Sequence, residues 1–197
     1  MSKAVEKKVE TDEQVMERIA TRFDILHDMT KAAIKNDVRA MIVTGPPGVG
    51  KSYGVEAELE KASMFDRISG NHLKYEVVKG AMTPVGLYAT LYKHSDKNHV
   101  LVFDDCDSVL MDDLSLNILK AALDSGKKRT IHWNADSSKL RSEGIPSKFD
   151  FHGSVIFITN IKFENVRSKK LKDHLEALQS RCHYIDLTLD TMRDKFL

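Results

Sequence analysis

Residues 45 to 52 read GPPGVGKS, a match to G-x-x-x-x-G-K-[ST], and their setting restricts the fold more than any other feature of the chain. A short apolar run, AMIVT at 40–44, precedes the motif, and a helical pattern from Ser52 to Ala62 follows it. A strand that ends in such a turn and opens a helix is the context in which this pattern cradles phosphate. Gly48 and Gly50 let the backbone curl until its N–H groups face phosphate oxygens, and the positive end of the helix beginning near Lys51 adds to them. Lys51 then reaches the β- and γ-phosphates while Ser52 ligates Mg²⁺. The expected nucleotide-binding residues are Gly45, Pro46, Pro47, Gly48, Val49, Gly50, Lys51, Ser52 and Tyr53, with ATP and Mg²⁺ as the ligands. A glycine-rich turn without a ligand is the alternative.

The rest of the chain has the pattern such a loop needs. Further apolar runs stand at 75–78 (YEVV), 99–103 (HVLVF), 154–159 (SVIFIT) and 183–187 (HYIDL), separated by helical stretches. Thr83-Pro84 opens one helix through Tyr92, Leu114 to Leu123 forms another that Gly126 is placed to stop, and Leu171, Leu175 and Leu178 mark a fourth. The expectation is an α/β three-layer fold, a five-stranded parallel sheet flanked by helices. At 197 residues and 42% hydrophobic, the chain suits one such domain over 11–197 with its core at about 40–190. Thr11 and Gln14 form a capping box for a preceding helix over about 12–36, and residues 1–10 are charged and aperiodic, as in a mobile tail. Residues 127–149 fit neither period and read as a hairpin plus loop.

A phosphate loop needs a carboxylate across the site to hold its metal, and the run HVLVFDD supplies two. Asp104 takes the Mg²⁺ side and Asp105 is the candidate base. Successive strand residues face opposite ways, but the chain turns at a strand's end, so both acids can approach the γ-phosphate region. The alternative is a pair of ordinary strand-end turn formers, the reading also given to Asp107.

Beyond these motifs the chain resembles the AAA+ ATPases from about Ala40 to Leu189. GPPGVGKS, VLVFDD, the strand FITN ending in Asn160, and SRC at 180–182 before HYIDL carry the resemblance. It implies that Asn160 orients the attacking water and that Arg181 reaches the γ-phosphate of an adjacent subunit, stabilising charge that develops in the transition state. A turn-capping amide and a surface ion pair at a helix end are the respective alternatives, and Arg167 is a second candidate for the arginine. The implied activity is ATP hydrolysis by a homo-oligomer, either a closed ring or an open helical assembly, coupled to remodelling of an unidentified protein substrate. The SRC triplet is similar to that of replication clamp loaders. Two features depart from the family. Asp105 stands where glutamate is usual, and the sequence stops at Leu197, before the small helical lid that usually follows the core, as in either a fragment or a minimal core. These departures keep open an ATP-gated scaffold that scarcely hydrolyses, and SRC keeps open a DNA replication or recombination accessory.

Composition narrows the partners. Thirty basic residues against 29 acidic ones give a net charge of +1, so no whole-chain field favours a nucleic acid. Locally, residues 127–148 carry six Lys or Arg around Trp133 against Asp136 and Glu143, which could track a nucleic-acid backbone; solvated loop charge around a packed tryptophan is the reading preferred. The loop KGAMT at 79–83 occupies the place where the family grips threaded polypeptides, yet it has no aromatic, and Met82 is its one apolar side chain of any length. Two cysteines in no ligand-like spacing, no apolar run of membrane-spanning length and a charged N-terminus predict a cytoplasmic protein with no membrane partner.

Overall fold

Thr11 caps the first helix as expected: the Gln14 N–H donates to its hydroxyl and Gln14 Oε1 accepts from its N–H. The computed structural model describes residues 10–188, so the expected tail lies almost wholly outside the described residues. Helix α1 (Asp12–Ile34) ends two residues short of the expected 36, because Asn36 turns the chain with φ +64°.

Five strands then form one parallel sheet: β1 (Ala40–Thr44), β2 (Tyr75–Lys79), β3 (Val100–Asp104), β6 (Ser154–Thr159) and β7 (His183–Asp186). Their spatial order is β2-β3-β6-β1-β7, which puts the phosphate loop and the acids on strands near the middle. The three inner strands are buried at every position, as parallel strands covered on both faces must be. The α/β three-layer fold with a five-stranded parallel sheet is therefore observed.

Alternation along the strands splits the core in two. Met41, Val43, Val100, Val102, Ile156 and Ile158 pack under α1 and α2 (Lys51–Ile68) through Leu26, Val55 and Leu59. Ile42, Leu101, Phe103, Val155 and Phe157 pack on the other face under α3 (Pro84–Lys93), α4 (Asp113–Ala122) and α6 (Lys169–Gln179). Phe103 and Phe157 stack there at 5.5 Å. Each fully buried leucine of this kind stabilises the fold by roughly 2 kcal/mol. The close approach of α1 to α2 depends on Gly54, where a Cβ would stand 2.9 Å from Leu26 Cδ2.

Three expectations need correction. Helix α2 runs six residues past Ala62, to Ile68, since nothing in that stretch breaks it. Gly126 does not stop α4; the helix already ends at its C-cap Leu123, and Gly126 sits in the following turn with its N–H on Asp124. Residues 127–149 hold a short antiparallel pair, β4 (Thr130–His132) with β5 (Lys148–Asp150), but a helix, α5 (Ser138–Ser142), lies between them. Trp133 in this segment packs 5.6 Å from Tyr88, and Arg129 is buried over the Phe151 ring, donating to the carbonyls of Ala122 and Gly153. That burial pulls the Arg129 pKa down to about 10. Lys128 and Arg141 pair with Asp150 and Asp136. The tryptophan is thus partly buried against the core and the arginine is buried within the fold. Among the described residues no helix is long and apolar enough to cross a membrane.

Candidate functional site

Strand β1 delivers the chain to Gly45, whose φ of +152° and contacts of 3.1–3.2 Å from an added Cβ to Leu187 leave no room for a side chain. Gly48 and Gly50 follow with φ of +82° and +90°, left-handed values that glycine adopts without steric cost. Gly50 is the N-cap of α2, so the loop ends on a helix start whose backbone N–H groups lack partners within the helix.

Lys51 is only 6% exposed. Its ammonium donates to Gly45 O at 2.8 Å, Pro46 O at 2.9 Å and Asn160 Oδ1 at 2.8 Å. Burial pulls its pKa below the ordinary lysine value, opposed by the nearby charges of Asp105 and Asp104. Next in sequence, the Ser52 hydroxyl donates to Asp104 Oδ1 at 2.8 Å. Asp104 closes β3 and is 4% exposed.

The two acids approach the same place by a backbone device. The Asp105 N–H still donates to Ile158 O, extending the ladder one residue, and Asp105 then takes φ +49°. That left-handed turn, tolerated better by Asp than by most residues, carries its carboxylate to Asn160, whose Nδ2 donates to Asp105 Oδ1 at 3.1 Å. Asn160 follows β6 and therefore links Lys51 at its oxygen to Asp105 at its nitrogen. Lys51, Ser52, Asp104, Asp105 and Asn160, expected from separate motifs, form one cluster at the ends of β1, β3 and β6.

Such a cluster fits a phosphate with a hard divalent cation. The loop turns on left-handed glycines, the lysine is buried among oxygens, and the serine and aspartate oxygens are the donors that Mg²⁺ prefers.

Tyr53 and Arg181 stand elsewhere. Tyr53 is 80% exposed, and its side chain lines a surface groove along α2 with Glu56, Ala57 and Glu60. Arg181 precedes β7, whose first residue pairs with Met41 near the start of β1, so it sits at the opposite end of the strands from the loop. Its Nη1 donates to Ala177 O at 2.5 Å, and it borders a polar cavity of about 460 Å³ with Asp37, Arg39, Ser125 and His183.

Two side chains beside the cluster, Lys79 and Thr159, were not singled out from the sequence. Lys79, the last residue of β2, lies beside Asp104 in the strand register and contacts its Oδ2 at 3.2 Å. Its only sequence signal is a charge closing an apolar run, as Asp104 also does. Thr159 donates to Asp107 Oδ1 at 2.7 Å, tying the turn after the acids to β6. Asp107 opens a 3-10 turn there, so its reading as a turn residue holds and the tie to Thr159 is additional.

Comparison with known proteins agrees with this geometry. The family model of the ATPase family associated with various cellular activities (AAA) matches residues 41–176, which contain the whole cluster. An uncharacterized 36.7 kDa protein of Enterobacteria phage T4, from the nrdC-mobD intergenic region, is 37% identical over 189 residues. That match takes in 95% of this chain, which spans 56% of the relative's length. The chain belongs to the AAA ATPase family.

Proposed function

We propose that this AAA-family chain binds ATP with Mg²⁺ at residues 45–52 and hydrolyses it in a head-to-tail homo-oligomer, coupling turnover to remodelling of a protein partner. The observation that carries the reading is the continuous chain of contacts from Lys51 through Asn160 to Asp105, beside the Ser52–Asp104 pair.

In this reading the loop's N–H groups and Lys51 bind the β- and γ-phosphates, the ammonium exchanging its backbone carbonyl partners for phosphate oxygens. Ser52 and Asp104 would hold Mg²⁺, which supplies charge neutralisation to the phosphate oxygens when bound. Asn160 orients a water and Asp105 Oδ accepts its proton as the water attacks. Asp105 is a methylene shorter than the family's usual glutamate, so a slower turnover is expected. Arg181 of one copy acts on the next copy's site, a role supported by its distance from its own loop along the strands. A contact between unlike surfaces repeats from copy to copy and so forms a ring or an open helix.

The test is ATP hydrolysis against protein concentration, with Mg²⁺ at low salt, alongside the mass of the assembly. Specific activity is expected to rise as oligomers form. Tight ATP binding with no turnover at any concentration would instead favour the ATP-gated scaffold.

A further inference from the structure

Asp104 divides its two oxygens. Oδ1 takes the Ser52 hydroxyl at 2.8 Å, while Oδ2 faces the Lys79 ammonium at 3.2 Å. The same ammonium reaches Glu56 Oε1 at 2.8 Å, and Glu56 lies one helical turn beyond Ser52 on α2. Lys79 is therefore shared between the carboxylate assigned to the metal and a second carboxylate that faces solvent more openly, its side chain 35% exposed against 6% for that of Asp104.

We propose that Lys79 is a positioning residue for the metal site: it holds Asp104 Oδ2 until a divalent cation draws on that carboxylate, then passes to Glu56 and shifts the loop over 80–83. The inference rests on the reading of Ser52 and Asp104 as the Mg²⁺ side of the site. A cation shared by Ser52 and Asp104 reduces the carboxylate's pull on Lys79 and repels its charge. Glu56 is already within bonding distance and needs no rearrangement to receive it.

The loop has the anchors to respond. It leaves Lys79 through Gly80, whose φ of +88° makes a sharp turn and where an added Cβ would meet nothing within 4 Å. At its far side the Met82 N–H donates to Ser108 Oγ at 3.0 Å, and Ser108 lies in the 3-10 turn (Asp107–Val109) that follows the two acids. Both ends of the loop are thus tied to the segment that carries Asp104 and Asp105: through Lys79 by charge, through Met82 by a hydrogen bond.

The experiment measures binding of the non-hydrolysable β,γ-imido analogue of ATP by calorimetry across a Mg²⁺ series, with amide hydrogen exchange at residues 80–82 as a second readout. The Lys79 end of the pair is 60% exposed and screened by solvent, so the pair is worth up to ~1 kcal/mol and Lys79→Met should lower the Mg²⁺ concentration for half-maximal tightening by roughly fivefold. Glu56→Gln should raise it, because Lys79 then has Asp104 alone, and Lys79→Arg should stay near the parent. In the parent protein Mg²⁺ should speed exchange at 80–82; in Lys79→Met exchange should be fast from the outset and unresponsive. Shifts of the Mg²⁺ requirement in the same direction for Lys79→Met and Glu56→Gln, or no shift in either, overturn the proposal. Asp104→Asn separates the two layers: if it leaves the Mg²⁺ dependence intact, the metal assignment itself fails.

Discussion

The two ends of the sheet differ in how complete they are within one copy. At the ends of β1, β3 and β6, Lys51, Ser52, Asp104, Asp105 and Asn160 are already bonded to one another and to the loop they serve. At the starts of the strands, Arg181 and Arg39 border a polar cavity and spend hydrogen bonds on backbone carbonyls of their own chain, Ala177 for one, Asp124 and Gly126 for the other. The first end has the parts to bind a nucleotide alone. The second presents Arg181 and Arg39 beside Asp37 at a polar cavity, and it is here that the proposed contact between copies would be tested.

That contrast can be broken in stages. Arg181→Ala should reduce ATP turnover by on the order of 10³-fold while leaving nucleotide affinity within twofold, read by steady-state hydrolysis and calorimetry. Mixing it with Lys51→Ala protein should restore part of the activity, since one interface in the mixture is intact; no recovery at any ratio would sink a shared site. Asp105→Asn should lower turnover by about 10²-fold and spare binding. If turnover survives, Asp105 is not the base. Lys51→Ala removes charge-assisted bonds worth up to ~3 kcal/mol, so affinity for the nucleotide should fall by roughly 100-fold.

Arg129→Met tests the other end. It deprives the buried carbonyls of Ala122 and Gly153 of a donor, so thermal or urea unfolding should show a loss of about 2 kcal/mol with nucleotide affinity unchanged. The smallest effect is expected from Tyr53→Ala. Its side chain lies on the outer face of α2, so binding should change by less than about twofold, as for other surface substitutions. A large loss there would mean that the groove along α2 belongs to the nucleotide site.

Much of this was legible in the sequence because it is written locally. Strands β1 and β6 fall on the apolar runs that announced them, and Thr11 and Thr83 cap the helices they precede. Asp104 and Asp105 could be read together because a strand end turns, and the turn is observed as a positive φ at Asp105. Helix ends were harder. Ser63 to Ile68 has no strong breaker and continues the helix, whereas the approach to Gly126 ends early at Leu123.

What the sequence by itself determined is the phosphate loop, the order of strands and crossovers along the chain, and the residue types that end the inner strands. These depend on φ preferences, on spacing and on alternation, all of which act within a few residues. Only the tertiary structure decided that Lys79 lies beside Asp104, that Trp133 and Arg129 are held in the fold, and that Arg181 faces away from its own loop. Parallel register is set by how each crossover helix packs on the sheet, and that packing is a sum over contacts distant in sequence, which no short stretch of residues records.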